Sequence, residues 1–169
     1  NQSSVDVTFD NGASSVYMIT SADDLSNCFS FHCGKEPLSL PELGQAMLST
    51  GVAQKMGISV GDTIILRDPD LRELEVTVSG IFDNNVYNYA IVDPQTIVQQ
   101  WDEEPEYQIA YVTVREGVDP HTVGARFSEH DDVAYVMINQ DVADQVGSML
   151  QALNMLYSRE EFIKLLNTL

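Results

Sequence analysis

The sequence predicts an α+β fold, and three patterns carry that reading. Short strand patterns follow one another closely between residues 46 and 93, a strand–helix–strand pattern covers 108–138, and an apolar helical stripe lies near the end of the chain. Closely spaced short strands suggest a small barrel or curled sheet. A helix between two strands has the length of a split βαβ arrangement. Hydrophobic residues make up 44% of the 169 residues, enough for a packed core in one ordinary domain or two small lobes.

The elements are expected in this order. "SVDVTFDNGASSVYMIT" alternates about Asp10-Asn11-Gly12, with Val5, Val7 and Phe9 on one face and Val16 and Met18 continuing it; Asn-Gly tolerates the positive φ of a tight hairpin turn. Ser21 and Asp24 mark a weak helix start at "SADDL". Residues 34–45 are rich in Gly and Pro and read as a loop. "AMLST" is a short strand and "TGVAQKM" about two turns of helix, with Gly57 where a left-handed C-terminal cap is wanted. Ile58 and Val60 are expected in the core, and Gly61-Asp62 turns the chain into the strand "TIILRD". After the Asp68-Pro69-Asp70 turn, "ELEVTVSGIF" places Leu74, Val76 and Val78 on one face and Glu75, Thr77 and Ser79 on the other. "NYAIVD" is a further strand. Two helices then begin with Asp-Pro, at Asp93-Pro94 and Asp119-Pro120: Asp accepts from the orphan amides, and Pro loses nothing where its missing N–H had no partner. Ile97 with Trp101, and Val123 with Phe127, are spaced to face inward. "QIAYVTVRE" (108–116) and "VAYVMI" (133–138) are strand patterns flanking the second helix. Val142, Val146, Met149, Leu150, Leu153 and Leu156 form the terminal apolar stripe.

Charge narrows the function. The chain has 26 acidic residues against 8 basic ones, a formal net charge of −18. It lacks the basic face that nucleic acid requires, and an anionic bilayer surface would repel it unless something tethers it there. No apolar run approaches the roughly 18 residues needed to span a bilayer, and no signal peptide is visible. A start at Asn1 in place of Met is expected of a processed protein or an excised fragment.

The search for chemistry finds little. There is no nucleophile elbow, Walker A loop, zinc-protease helix or EF-hand loop, so no catalytic residue, cofactor or metal is expected. Cys28 and Cys33 are a candidate disulfide. Fully extended, their α-carbons would lie about 17 Å apart, whereas a bridge needs about 4.4–6.8 Å, so it requires a tight turn across "FSFH". Two buried or half-buried thiols, or a metal site completed by His32, are the alternatives. "EHDD" (129–132) and "WDEEPE" (101–106) read as acidic turns, and His121 as a surface residue. Asn84, Asn85, Tyr87 and Tyr89 in "NNVYNY" are candidate partner-binding residues, because tyrosine offers contact area at modest entropic cost; core packing of both rings is the competing reading.

The glycines of "GISVGD" are weak evidence alone, but their neighbours are distinctive. Gly34 and Pro37 precede a strand; Ala53 to Asp62 follow, then Val78 to Ile81, then an aromatic strand from Tyr87 to Pro94. This order over about 34–95 resembles the extracytoplasmic (MacB-like periplasmic core) domain of FtsX/MacB-type ABC transporter permeases, and "GIFDNNVYNY" looks like the large permeases of Firmicutes. The resemblance implies a βαβ lobe from 1–45 and 105–157, an inserted small β lobe from 46–104 and a helical extension at 158–169. It implies a non-catalytic domain on the extracellular face of the membrane, where Gly57, Gly61 and Asp62 are structural. Such a domain couples cytoplasmic ATP hydrolysis, by a partner ATPase subunit reached through membrane helices, to an extracellular protein, peptide or lipoprotein, with a permease dimer as a further assembly. In the family the chain would enter the membrane after "SMLQALNML"; here it continues as "YSREEFIKLLNTL". The alternative is a stand-alone secreted or cytosolic binding module built on a small barrel.

Overall fold

The computed structural model describes residues 1–84, 87–139, 141 and 144. The chain divides into two units, Asn1–Val112 and Thr113–Leu169. The terminal stripe from Val142 to Leu156, the 158–169 extension and Asn85 lie outside the described residues.

The first unit is built on strands β1 (Gln2–Phe9), β2 (Gly12–Ile19), β3 (His32–Cys33), β4 (Glu36–Pro37), β5 (Gln45–Ser49), β6 (Thr63–Arg67), β7 (Glu73–Phe82) and β8 (Tyr89–Val92), with helices α1 (Thr50–Met56) and α2 (Pro94–Trp101). Six strands close a barrel in the order β1-β2-β8-β5-β7-β6, while β3 and β4 form a separate two-stranded hairpin. The fold is α+β with a small barrel, as the strand spacing predicts. The pairs β2/β8 and β5/β7 are parallel and the other four antiparallel. Closure leaves no barrel strand with an open edge along its paired length.

The core follows from the alternation of side chains. Val5, Val7, Val16, Met18, Leu66, Leu74, Val76 and Val78 are buried together with Val52, Ala53 and Ile58 from α1 and its cap, and Ile97 from α2. Strands β5 and β8 are buried on both faces: Ala46, Leu48, Ala90 and Val92 join this core, while Met47 and Ile91 join Phe82 in a second cluster covered by Leu25, Phe31, Leu38 and Leu40. The register between β5 and β7 shifts between Ala46 and Met47. Beyond that shift Ile81 packs on the main core and Phe82 on the second cluster. The end of β7 that β5 does not reach is covered by α2. Gln100 accepts from Glu75 N at 2.9 Å and donates to Glu75 O at 2.7 Å, and Trp101 Nε1 donates to Glu73 O at 2.9 Å.

Several expectations are corrected. The N-terminal hairpin forms, but Phe9 pairs with Gly12, so Asp10 and Asn11 are the turn, and Asp10 takes the positive φ of 50°. That hairpin belongs to the barrel: β1 pairs with β6 and β2 with β8. The division expected between 1–45 and 46–104 therefore does not separate residues 2–19 from the later strands. Buried Val5, Val7, Val16 and Met18 supply one wall of the main core. The loop expected at 34–45 contains the second strand of the β3/β4 hairpin, turned at Gly34. Val60 is 60% exposed, since it lies in a turn where Ile58 alone reaches the core. The helix start at Asp24 is real but yields only the 3-10 turn Leu25–Asn27, with the Asp24 carboxylate accepting from Ser26 N.

In the second unit, α3 (Pro120–Ser128) begins as expected at Asp119, whose carboxylate accepts from His121 N and Thr122 N. Val136 and Ile138 lie against Gly124, but Val136 is still 37% exposed, so the alternation of 133–138 does not give it a buried face. Neither 133–138 nor 108–116 forms a strand. Alternation prepares a face, but a strand also needs a neighbour for its backbone N–H and C=O groups. Phe127, expected inward, is 41% exposed.

Candidate functional site

Of the candidate partner-binding residues, Asn84 and Tyr87 lie on the connection from β7 to β8, and Tyr89 opens β8. Parallel pairing places Tyr17 of β2 beside Tyr89 of β8, and Tyr17 N donates to Asn88 O at 2.8 Å. The Tyr17 ring lies 5.9 Å from that of Tyr89, tilted by 39°, and 6.0 Å from that of Tyr87, edge to face at 84°. Tyr87 has φ 62° and is 68% exposed, whereas Tyr89 is half-buried. The core-packing alternative therefore fails for Tyr87. Burial, helped by the neighbouring phenols of Tyr111, Tyr87 and Tyr17, pushes the Tyr89 phenol above its ordinary value. Asn84 Nδ2 donates to Tyr87 O at 3.3 Å and closes the loop on itself. Ser49, the residue before α1, accepts from Tyr89 N at 3.0 Å and so ties the loop's exit to the helix start.

Next to these rings is a depression lined by Thr50, Gly51, Gln54, Asn84, Tyr87 and Asn88. Thr50 donates to Phe82 O at 2.9 Å and to Asp83 Oδ1 at 3.3 Å. Asp83 Oδ2 in turn accepts from Gly34 N at 2.6 Å and lies 3.7 Å from His32 Nδ1, which pins the β3/β4 hairpin to the end of β7. A Cβ at Gly51 would stand 3.0 Å from Asn88 Oδ1, so the bare backbone there lets the Asn88 amide approach α1.

The structural glycines act as punctuation. Gly57 (φ 70°) caps α1 in the left-handed region, with its N–H directed to Ala53 O and Gln54 O. Gly61 (φ 97°) donates to Val78 O at 2.8 Å. The Asp62 carboxylate accepts from Ser59 N at 2.8 Å and the Asp62 amide donates to Ser59 O at 3.1 Å, which closes the turn. Cys28 and Cys33 form no disulfide in this structure, and both are exposed, where burial or half-burial was the alternative expected. Cys28 follows the 3-10 turn and Cys33 lies in β3, separated by the aromatic residues Phe29 and Phe31. Phe31 meets Phe82 edge-on at 5.3 Å and belongs to the second hydrophobic cluster.

Sequence reasoning missed Tyr17, Gln54, Asn88 and Gly51. They come from three separate segments, and only strand pairing and the α1 approach bring them together. Gly51 carried a signal: glycine is a poor helix former, and one in the first turn of a helix invites the question of what comes close.

Neither a family model nor a curated protein matches the chain. Among solved structures, a domain of a protein assigned as a permease, from Porphyromonas gingivalis, is similar with a TM-score of 0.45 and 18% identity over 75% of this chain. The match spans 64% of that chain.

Proposed function

We propose that this chain is a non-catalytic extracytoplasmic domain of an FtsX/MacB-type ABC transporter permease. In this reading it works beside a cytoplasmic ATPase and contacts a substrate or partner outside the cell. One observation supports it above the others: the residues that carry the sequence resemblance serve the turns and strands of a single barrel. Gly57 and Gly61 adopt left-handed backbone, the Asp62 carboxylate is engaged by Ser59 N, and Gly80 and Ile81 lie in the strand that β5 joins. Residues so engaged shape the chain and are not poised for a reaction. The exposed Tyr87 loop then provides the surface at which the domain would meet what it handles.

Cys33, exposed in β3, allows a direct test in the producing cell. A Cys28→Ser variant of the native gene product is treated with a mild reductant and a membrane-impermeant maleimide, on intact and on lysed cells. Labelling of Cys33 without lysis, together with recovery of an ATPase when the product is purified in detergent, is the expected result. Labelling only after lysis would overturn the extracellular placement. Recovery from the soluble fraction with no ATPase would overturn the permease reading and favour a self-contained binding module.

A further inference from the structure

We infer that the groove between the 3-10 turn Leu25–Asn27, the segment 37–41 and the start of α2 binds an amphiphilic cation, an amine or guanidinium group on an apolar body. The groove lies within the first unit and offers about 640 Å³, room for a small organic molecule. Its floor is the outer side of the second hydrophobic cluster. Ile91 is buried there, and Leu25, Phe31, Leu38 and Leu40 are half-buried on that cluster and line the groove. Phe29, 39% exposed, adds an aromatic wall, its ring edge-on to Tyr111 at 4.7 Å and tilted beside Phe31 at 6.3 Å. Leu38 N donates to Phe31 O at 2.9 Å, so the two lining segments are joined through the backbone.

The charge of the ligand follows from the rim. Every ionisable side chain among the described lining residues is an aspartate: Asp23 and Asp24 before the 3-10 turn, and Asp93 before α2. Asp23 makes no hydrogen bond or ion pair among the described residues. Asp93 accepts from Gln95 N at 2.9 Å and has no basic partner among them. Hydrogen bonds from the Ser26 hydroxyl and amide hold the Asp24 carboxyl below its ordinary value, so it is charged near neutral pH. The negative field reaches further. Burial, then the charges of Glu104 and Asp93, push the Tyr107 phenol above its ordinary value. Such a rim attracts an ammonium or guanidinium group and repels a phosphate or carboxylate. Acids alone would single out no site on a chain of net charge −18, because a hydrophilic cation meets carboxylates on many faces. The apolar floor restricts the ligand to one that buries hydrocarbon and carries its charge at one end. A neutral apolar molecule would cover the carboxylates without a counter-charge, at a cost in their solvation. A second copy of this chain would bring the same negative charge. The inference needs only these residues and stands whether or not the chain belongs to a permease, so the labelling experiment and the binding experiment fail independently.

The test titrates the 169-residue chain with phenylbutylamine, phenylbutanol and phenylbutyrate, which share an apolar body and differ in charge, and follows backbone amide shifts by NMR. The amine is expected to bind about tenfold tighter than the alcohol, and the butyrate more weakly than the alcohol, with shifts at Leu25, Leu38 and Asp93. Raising salt to about 0.5 M should narrow the gap between amine and alcohol. Asp23→Asn should weaken the amine about two- to fivefold and leave the alcohol unchanged. Asp93→Asn, which keeps a capping side chain, should do the same. Phe29→Ala should weaken amine and alcohol alike, which separates the apolar wall from the charge. No shift with the amine up to about ten millimolar would overturn the inference. So would an alcohol or butyrate that binds as tightly as the amine, shifts confined to other faces, or an amine affinity unmoved by both aspartate substitutions.

Discussion

Replacing Gly57 with alanine isolates the backbone role of the glycine that ends α1. Gly57 sits at φ 70°, ψ 26°, and its N–H is directed to Ala53 O and Gln54 O while Ile58 N donates to Ala53 O at 2.9 Å. A Cβ added there meets nothing within 4 Å, so no steric clash with the surroundings contributes. What remains is the penalty for an L-residue in the left-handed region, about 1–2 kcal/mol. For a chain of this length each kcal/mol moves the melting temperature by about 2–4 °C, giving a fall of roughly 2–8 °C. Gly57→Asn should cost less, because Asn visits this region more readily. Gly12→Ala is the control: its φ is not left-handed and a Cβ there makes ordinary contacts, 3.5 Å to Phe9 O and 3.7 Å to Met56 Cε, so a change within about 0.5 kcal/mol is expected. Trp101, the single tryptophan, reports on the fold during urea titration, since its Nε1 donates to Glu73 O and Arg72 lies 4.5 Å over its ring. An unchanged midpoint for Gly57→Ala, or equal losses for Ala and Asn, would refute the backbone explanation.

Ile58→Ala should lose about 2–4 kcal/mol and Val60→Ala less than about 0.5 kcal/mol in the same titration, because Ile58 is 5% exposed and Val60 60%. Asp68 gives a pH dependence. Burial pushes its carboxyl up, but hydrogen bonds from the Arg72 amide and guanidinium, the Arg72 charge and a contribution from Asp70 outweigh it, so the net shift is downward. A depressed folded pKa means stability that is full above the unfolded value, about 4, and lost as pH falls through the folded one. Urea midpoints should therefore drop on acidification below about pH 4, and Asp68→Asn should flatten part of that drop. Tyr89 carries the opposite sign. With its phenol pushed up, its contribution is present below about pH 10 and lost as pH rises further, and Tyr89→Phe should reduce the alkaline loss seen by circular dichroism.

What was legible in the sequence is what local chemistry decides. The Asp-Pro starts of α2 and α3, the Gly57 cap and the alternation of Leu74, Val76 and Val78 all rest on neighbours within a few residues, and all are found. Partner choice by strands was not legible. Nothing local to Val5 or Val16 says that their hairpin closes a barrel with β6 and β8, so lobe boundaries drawn along the chain missed it. The patterns at 108–116 and 133–138 resemble strands for the same reason that β7 does, yet only β7 has a neighbour on each side. Val60 misled because Ile58-x-Val60 has the period of a strand while the backbone there is already turning toward Gly61. At the site, Tyr87 and Tyr89 could be singled out from "NNVYNY", but Tyr17 lies far away in sequence and Gln54 belongs to a helix marked in the sequence only by its Gly57 cap.

The architecture gives the Tyr87 loop a stiff support. β8 is buried on both faces, Ala90 and Val92 toward the main core and Ile91 toward the second cluster, and it runs directly into Asp93, which caps α2. β7 on the other side of the loop is held at its far end by Gln100 and Trp101. The loop's flanks thus lead into strands that cannot shift singly without breaking two ladders, whereas the loop itself is tied by Asn84 to Tyr87 O and by Ser49 to Tyr89 N.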